Sequence, residues 1–271
     1  SGSCRNRCPG LDSDKLWWLS RDMLMLRLSP LFALWLSSGL ALPAGASAWE
    51  DKEAEALFGK MAEKIRTAKT VQVICKGSFK TAGFEAEVKA TLLLKEGNKM
   101  RLELDTNGFR DGEAHSYSMR MVSDGTRIRM RENKKESVDY VTTKSWNESV
   151  VQNVIRGGFP SGLELARVKK AGEKDDTGMA FRPVAQPTEF ALLIKDRVGG
   201  RESLPVEFKV KSDLEFAKDV SAILWLDPQS ALPLQRMNVI RTDRTLTVTE
   251  TYEKFVVNEP VDDSSFALPK E

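Results

Sequence analysis

Histidine is nearly absent from this chain, since His115 is the only one among 271 residues. Histidine supplies many general bases and metal ligands near neutral pH. His-rich metal sites and the usual Ser-His or Cys-His enzymes are therefore excluded unless His115 alone serves, and its position beside the turn at Gly112 predicts an exposed loop residue. The sequence also lacks a Gly-rich phosphate loop and a nucleophile elbow. These absences predict a protein that is not an enzyme and that carries no metal or cofactor.

Cysteine is scarce as well, and the three cysteines are too few for a disulfide framework. Cys4 and Cys8 lie in an N-terminal stretch that we exclude from the fold below. Cys75 lies in a strand-like segment with no fixed base near it in the sequence. We therefore interpret Cys75 as a small buried hydrophobic residue rather than a nucleophile.

Neither sign of charge dominates, because the chain has 41 Lys and Arg residues and 39 Asp and Glu residues. A nucleic-acid binder would show a basic excess with interleaved aromatic residues, so nucleic acid is not an expected partner. Arg127, Arg129 and Arg131 alternate with apolar residues and are interpreted as the solvated face of a strand. The acid pairs Asp175-Asp176 and Asp262-Asp263 lie in turn-like sequence and are interpreted as solvated loops.

The one long apolar run lies near the N-terminus, from Leu28 to Leu42. Basic residues precede it, and Ala44-Gly45-Ala46 and Ala46-Ser47-Ala48 follow it, which is the order of a secretory signal with its cleavage site. The run is shorter than the roughly 20 apolar residues of a membrane span. We expect cleavage and export, with an uncleaved N-terminal anchor as the alternative.

This interpretation divides the chain into three parts. Residues 23–48 are predicted to be the signal peptide, and residues 49–271 a single mature domain. Residues 1–22 match no part of a signal and are interpreted as a non-native or mis-started extension. A cleavable signal in a bacterial cell predicts a periplasmic protein.

The mature region opens with a helical pattern. Between residues 50 and 68 the apolar side chains recur at the spacing of a single helical stripe. Acidic residues begin the segment and basic residues end it, as the helix dipole favours. The stripe consists of Ala54, Leu57, Phe58, Met61 and Ile65. We predict a surface helix that packs on a core.

Strand patterns follow, in two groups. Leu102 and Leu104 alternate with charged residues, and Glu96-Gly97-Asn98 and Ser123-Asp124-Gly125 carry hairpin-turn signals. Between the groups, residues 145–155 and 160–170 are predicted as short helices and 171–187 as a loop. Strands are predicted at 71–80, 85–95, 99–105, 116–122, 126–131, 189–195, 204–211, 220–226, 234–242 and 245–257.

This order of elements predicts an α+β fold in one domain. The sheet is expected to be antiparallel, because its strands alternate between a wet face and a dry face. A sheet of about eight to eleven strands is wide enough to curl, with helices covering its concave apolar face. The dry face then forms an ordinary core with the helices, or it encloses a cavity for an apolar ligand.

Methionine is prominent on the dry face, and its flexible side chain suits ill-defined alkyl ligands as well as ordinary cores. If a cavity is present, we expect ligand to enter between the sheet and the helices around Leu57 and Val151. The candidate lining residues are Leu57, Met61, Leu102, Leu104, Met119, Met121, Ile128 and Met130.

Three short motifs occur in a distinctive order after the signal and the helix. They are Met121-Val122-Ser123-Asp124-Gly125-Thr126, the strand–turn–strand segment Ile223-Leu224-Trp225-Leu226-Asp227-Pro228-Gln229-Ser230-Ala231-Leu232-Pro233-Leu234, and Phe266-Ala267-Leu268-Pro269. In this order the chain resembles the LolA-like superfamily of periplasmic lipoprotein carriers and their relatives, from about Glu50 onward.

The resemblance implies an unclosed β-barrel, or half-barrel, with helices as a lid over a hydrophobic cavity. It implies a lipid- or lipoprotein-binding protein, a carrier in outer-membrane lipoprotein sorting, whose partners are acyl chains. The alternative on the same fold is an envelope protein-interaction or sensor module without bound lipid. The longer middle section, residues 144–200, departs from the family pattern.

Overall fold

The computed structural model describes residues 51–110, 112–133, 137–141, 185–212, 219–241 and 245–269. These residues belong to one compact unit that spans Ala48–Glu271. The predicted N-terminal extension and signal peptide lie outside the described residues. The two predicted short helices of the middle section, with Val151, and the pair Asp175-Asp176 lie outside them as well.

Helix α1 spans Lys52–Arg66, as the apolar stripe predicts. Asp51 caps its N-terminus, since one carboxylate oxygen accepts hydrogen bonds from the backbone N–H groups of Glu53 and Ala54. The other carboxylate oxygen accepts a hydrogen bond from the backbone N–H of Leu192 at 3.0 Å. Asp51 thus fixes the start of the helix to a strand of the sheet.

Twelve strands are found in the described residues. They are β1 (Thr70–Thr81), β2 (Phe84–Lys95), β3 (Lys99–Arg110), β4 (Glu113–Asp124), β5 (Arg127–Glu132), β6 (Val138–Val141), β7 (Ala185–Leu192), β8 (Asp196–Val198), β9 (Arg201–Ser212), β10 (Asp219–Leu226), β11 (Pro233–Arg241) and β12 (Thr245–Val257). A short 3₁₀ helix, η1 (Asp263–Phe266), follows the last strand.

The strands form one antiparallel sheet in the order β6-β5-β4-β3-β2-β1-β12-β11-β10-β9-β7, and β8 pairs separately with β9. The sheet is not closed within the described residues, because β6 and β7 are its two ends. The first strand therefore pairs with the last strand in the middle of the sheet. This architecture confirms the predicted α+β half-barrel.

The two faces of the sheet differ in chemistry. On β2, the side chains of Val88, Ala90, Leu92 and Leu94 are buried, and most of the alternate side chains are exposed or half-buried. The buried face is the concave, inner face, on which α1 packs. The outer face carries ion pairs such as that between Arg120 and the Asp105 carboxylate at 2.9 Å, as the charged rows of the sequence predict.

The C-terminal segment binds to the outer face near the hairpin between β2 and β3. The Asp263 carboxylate bridges the ammonium groups of Lys95 and Lys99 at 2.6 and 2.7 Å. Phe266 in η1 is buried, and η1 contacts β3 and β4. We call this contact, made by Asp263, Phe266, Lys95 and Lys99, the C-terminal clasp.

Several sequence predictions differ from the structure in detail. Strands β6 and β8 are not predicted, because three- and four-residue strands give too short a pattern. Strand β7 begins at Ala185, inside the predicted loop, since Pro187 is typical of loops but is tolerated at the edge of a sheet.

Strand β4 begins at Glu113, so His115 is exposed as predicted but lies in a strand rather than a loop. The pair Asp262-Asp263 belongs to the η1 cap and the clasp rather than to a free loop.

Candidate functional site

Backbone pairing brings the predicted lining residues of the strands together on the inner face. Leu102 pairs with Met121, which pairs with Met130, and Leu104 pairs with Met119. Five of these predicted side chains are at most 5% exposed, and Met130 is half-buried against them. The five are Leu102, Leu104, Met119, Met121 and Ile128. The structure therefore places the six side chains in one apolar patch across β3, β4 and β5, which we call the methionine patch.

The two predicted residues of α1 lie elsewhere along the sheet. The helix packs mainly against β7 and β9, where the ring of Phe58 lies 5.3 Å from that of Phe190 and 5.1 Å from that of Phe208. Met61 is buried and Leu57 is half-buried in the same continuous core. In the strand order, the helix therefore lies at the β7 end of the sheet, whereas the methionine patch lies toward the β6 end.

Small side chains separate the methionine patch from the centre of the sheet. Leu104 pairs with Ala90, and Ala90 pairs with Cys75. Further along, Val88 pairs with Gly77. These short side chains are nonetheless buried, since Cys75 is 1% and Ala90 is 4% exposed.

A buried polar cluster lies next to these small residues, and we define it as Arg236, Asn238, Glu250 and Tyr252. Arg236 and Glu250 are directly opposite each other on β11 and β12, and they are 4% and 0% exposed. The guanidinium Nε of Arg236 donates to Asn238 Oδ1 at 2.8 Å, and the Tyr252 hydroxyl donates to Glu250 Oε2 at 2.6 Å. The cluster therefore contains one cation and one anion, both out of water.

Burial changes the acid–base behaviour of this region. Burial raises the pKa of Tyr252 well above its usual value, and the nearby Glu250 carboxylate raises it further. Burial also raises the pKa of the Cys75 thiol, again with a contribution from Glu250. Tyr252 therefore remains a hydrogen-bond donor, and Cys75 remains a neutral thiol rather than a nucleophile, at neutral pH.

The sequence gives only a weak signal for the polar cluster. Glu250 stands in a row of threonines and Arg236 in an ordinary alternating strand, so each pattern predicts a solvated face. The alternation of side chains along β11 carries a signal, because Arg236 lies on the same face of the strand as Leu234, which is buried. The alternation shows that this shared face is the inner face only once the strand order is known.

A depression lies on the outer face, over β12, β1 and β2. Its volume is about 290 Å³, and most of its lining residues are polar. It is lined by Lys76, Gly77, Ser78, Glu87, Val88, Lys89, Thr249 and Thr251. Its polar side chains and its position on the outer face distinguish it from the apolar cavity that the sequence predicts.

Potential metal ligands do not cluster in the part of the chain that the structure describes. Within those residues, no group of three or more His, Cys, Asp or Glu side chains is placed to hold a metal ion. None of the described helices is long and apolar enough to span a membrane. The inner face is the candidate site because it brings six of the predicted lining residues together beside a buried polar cluster.

No protein-family model matches the chain, and no curated protein matches it. Solved structures do match, at low identity. The lipoprotein LppX of Mycobacterium tuberculosis is 12% identical over 78% of this chain and 98% of its own, with a TM-score of 0.43. LprF of Mycobacterium bovis is 10% identical over 79% and 96%, with a TM-score of 0.46.

A LolA superfamily protein of Nitrosomonas europaea is 9% identical over 79% of this chain and 97% of its own, with a TM-score of 0.29. These likenesses transfer no superfamily, ligand or activity to this chain.

Proposed function

We propose that this chain is an exported, non-enzymatic protein that binds the acyl chains of lipids on the inner face of its sheet. The observation that supports the proposal is the methionine patch across β3, β4 and β5, which pairs Leu102, Met121 and Met130 in one row. Each buried CH₂ group of a ligand contributes about 0.8 kcal/mol. A flexible, methionine-rich surface suits chains of variable length.

A finer role follows from the sequence resemblance. Such a face would bind the acyl chains of lipoproteins as well as those of other lipids. The finer proposal is therefore that this protein is periplasmic and carries lipoproteins in outer-membrane sorting. A carrier must release its ligand as well as bind it. Transfer of a fluorescent lipid from the loaded protein to acceptor vesicles would test this role separately from binding.

The second candidate function is a protein-interaction or sensor module of the envelope with a filled core. It is supported by the low exposure of the inner-face side chains, since Leu102 is 0% and Met121 is 3% exposed. A packed core shows the same burial. The two candidates differ in whether a larger side chain at position 121 fits: it would displace a bound lipid in the first case and overpack a filled core in the second.

A pair of matched tryptophan variants separates the candidates. Met121→Trp adds volume on the inner face, and Leu93→Trp makes a similar addition on the outer face of β2, where Leu93 is half-buried. If lipid occupies the inner face, lipid should co-purify with the wild type and with L93W and should be lost from M121W, which remains folded. Mass spectrometry of native protein from cells measures the bound lipid.

Two outcomes would count against lipid binding. The first is wild-type protein that carries no lipid and binds no fluorescent fatty acid. The second is an M121W variant destabilised by about 1–3 kcal/mol, as overpacking of a filled core predicts, with no lipid in any of the proteins. In that case a pulldown from envelope extract would test the second candidate.

A further inference from the structure

The depression on the outer face brings polar groups together around short side chains. Ser78 and Thr249 lie directly opposite each other on β1 and β12, with longer side chains around them. Gly77 and Val88 belong to the inner face by alternation, so they contribute backbone to the lining of the depression. Its volume of about 290 Å³ suits a small polar ligand rather than a long acyl chain.

Two lysines lie side by side in this depression. Lys76 on β1 is directly opposite Lys89 on β2, although like charges in opposite positions destabilise a sheet. Glu253, the extra residue of the bulge between β1 and β12, forms an ion pair with Lys76. Asp105, the neighbour of Lys89 on β3, instead binds Arg120 at 2.9 Å. An anionic group bound between the two ammonium groups would offset the repulsion between them.

A carboxylate lies one row further along the same strands. Glu87 is directly opposite Ser78, and it is two residues from Lys89 on one face of β2, about 7 Å along the strand. In the part of the chain that the structure describes, the Glu87 carboxylate and the Lys89 ammonium make no ion pair or hydrogen bond with another side chain. The hydroxyls of Ser78, Thr249 and Thr251 complete the lining. The depression therefore offers cations in one row, an anion in the next, and hydroxyls beside both.

We propose that this depression binds a phosphoethanolamine group, with the phosphate between Lys76 and Lys89 and the ammonium at Glu87. Lysine binds phosphate as a point charge, and a carboxylate accepts hydrogen bonds from a primary ammonium group. A simple anion would be attracted by the lysines but repelled by Glu87, so a zwitterion fits better. Soluble phosphodiesters and phospholipids both carry this group. The site is separate from the inner face, and the inference goes beyond the proposed function.

The test compares glycerophosphoethanolamine with glycerophosphocholine, which differ only in the methyl groups on the nitrogen. The quaternary nitrogen has no N–H group to donate to Glu87. Binding is followed through amide chemical shifts at an ionic strength of about 0.01 M, where exposed charges are weakly screened. Glycerophosphoethanolamine should shift the amide resonances of Gly77, Ser78 and Lys89. It should bind about fivefold more tightly than glycerophosphocholine, which is the effect of one hydrogen bond.

Two variants of the depression separate its two charges. Lys89→Gln should weaken the binding of both esters about fivefold, because it removes a cation from the phosphate. Glu87→Gln should remove most of the preference for glycerophosphoethanolamine. Lys80→Gln and Glu85→Gln are the matched controls, since Lys80 and Glu85 are directly opposite each other on the same two strands, form an ion pair at 3.7 Å and lie outside the depression. Neither control should change the affinity for either ester.

Vesicles distinguish the two sources of the group. Sedimentation with vesicles that contain phosphatidylethanolamine, but not with vesicles of phosphatidylcholine alone, assigns the site to a phospholipid headgroup if K89Q abolishes it. Binding of the soluble ester alone assigns the site to a soluble phosphodiester.

Four results would contradict the inference. They are the absence of amide shifts in the depression with glycerophosphoethanolamine, an unchanged affinity in K89Q, an unchanged preference in E87Q, and an equal loss of affinity in K80Q and K89Q. Each of them leaves acyl-chain binding on the inner face untouched, because none of these variants alters that face.

Discussion

At the scale of single residues, Gly125 and Gly97 lie where two hairpin turns touch. Gly125 has a φ of +102°, and a Cβ atom placed on it would collide with the carbonyl oxygen of Gly97. Gly97 itself has a φ of +81°. The Asp-Gly and Gly-Asn signals predict both turns, but the contact between the turns depends on the pairing of β3 with β4. Gly125 is therefore required by its backbone conformation and by a tertiary contact.

Gly125→Ala should destabilise the protein, because the new methyl group meets a backbone atom and the residue stays in the left-handed region. The expected cost is about 1–3 kcal/mol in the free energy of unfolding. Urea denaturation followed by circular dichroism measures it. Gly59→Ala is the control, since Gly59 lies in α1 and, beyond its chain neighbours and the backbone of its own helix, no atom lies within 4 Å of the place that its Cβ would occupy. It should stabilise by about 1 kcal/mol, and equal effects at both sites would contradict this explanation.

At the scale of an element, the C-terminal clasp attaches η1 to the outer face through the ion pairs of Asp263 and the buried ring of Phe266. Hydrogen bonds from Lys95 and Lys99 lower the pKa of Asp263 from 3.8 to about 2. The carboxylate is solvent-exposed, so salt should weaken these contacts. The clasp thus depends on ionisation of Asp263, whereas the apolar patch of the inner face does not.

Asp263 should make one part of the stability depend on pH. Because its pKa is lower in the folded state, its contribution is present above about pH 4 and is lost as the pH falls through about 2. The difference in the free energy of unfolding between wild type and Asp263→Asn should therefore shrink over that range. Urea denaturation at a series of pH values measures it.

The two lysines of the clasp provide the control for this pH dependence. In a background that carries both Lys95→Met and Lys99→Met, the carboxylate of Asp263 has lost its two cations. Asp263→Asn should then change the free energy of unfolding little at any pH. An effect of unchanged size in that background would show that the lysines do not stabilise the carboxylate.

At the scale of the whole molecule, the sheet depends on the pairing of β1 with β12. That pairing covers Val71 to Lys80 on one side and Val257 to Thr247 on the other, with one bulge after Ile74. It joins the strands before the middle section to those after it. A chain without β12 would leave β1 and β11 as two unpaired edges in the centre of the sheet.

Two truncations test this dependence. A chain that ends at residue 241 lacks β12 and should fail to fold, although it keeps the other strands. A chain that ends at residue 261 lacks the clasp but keeps every strand, so it should fold with reduced stability. Cooperative urea unfolding and dispersed amide resonances measure folding. A folded 1–241 chain would show that the two halves of the sheet are independent.

The strands and hairpins can be predicted because their signals are local. Alternation of Leu102 and Leu104 with charged residues gives the strand and its faces, and the sequence pattern gives β12 its observed bounds, Thr245–Val257. The pairing of β1 with β12 cannot be predicted, because no local pattern records which distant strand lies beside another. The polar cluster escapes prediction for the same reason, since Glu250 and Arg236 are recognised as inner-face residues only through that strand order.

The central position of β12 also has a consequence for biosynthesis. A ribosome releases the chain from its N-terminus, so β1 through β6 are complete long before the strand that pairs with β1 has been made. Until Thr245–Val257 emerges, one edge of β1 and the apolar side chains of its inner face lack their neighbour. The finished sheet can therefore form only after β12 has left the ribosome, and a nascent chain of this kind stays available until then to any factor that needs it unfolded.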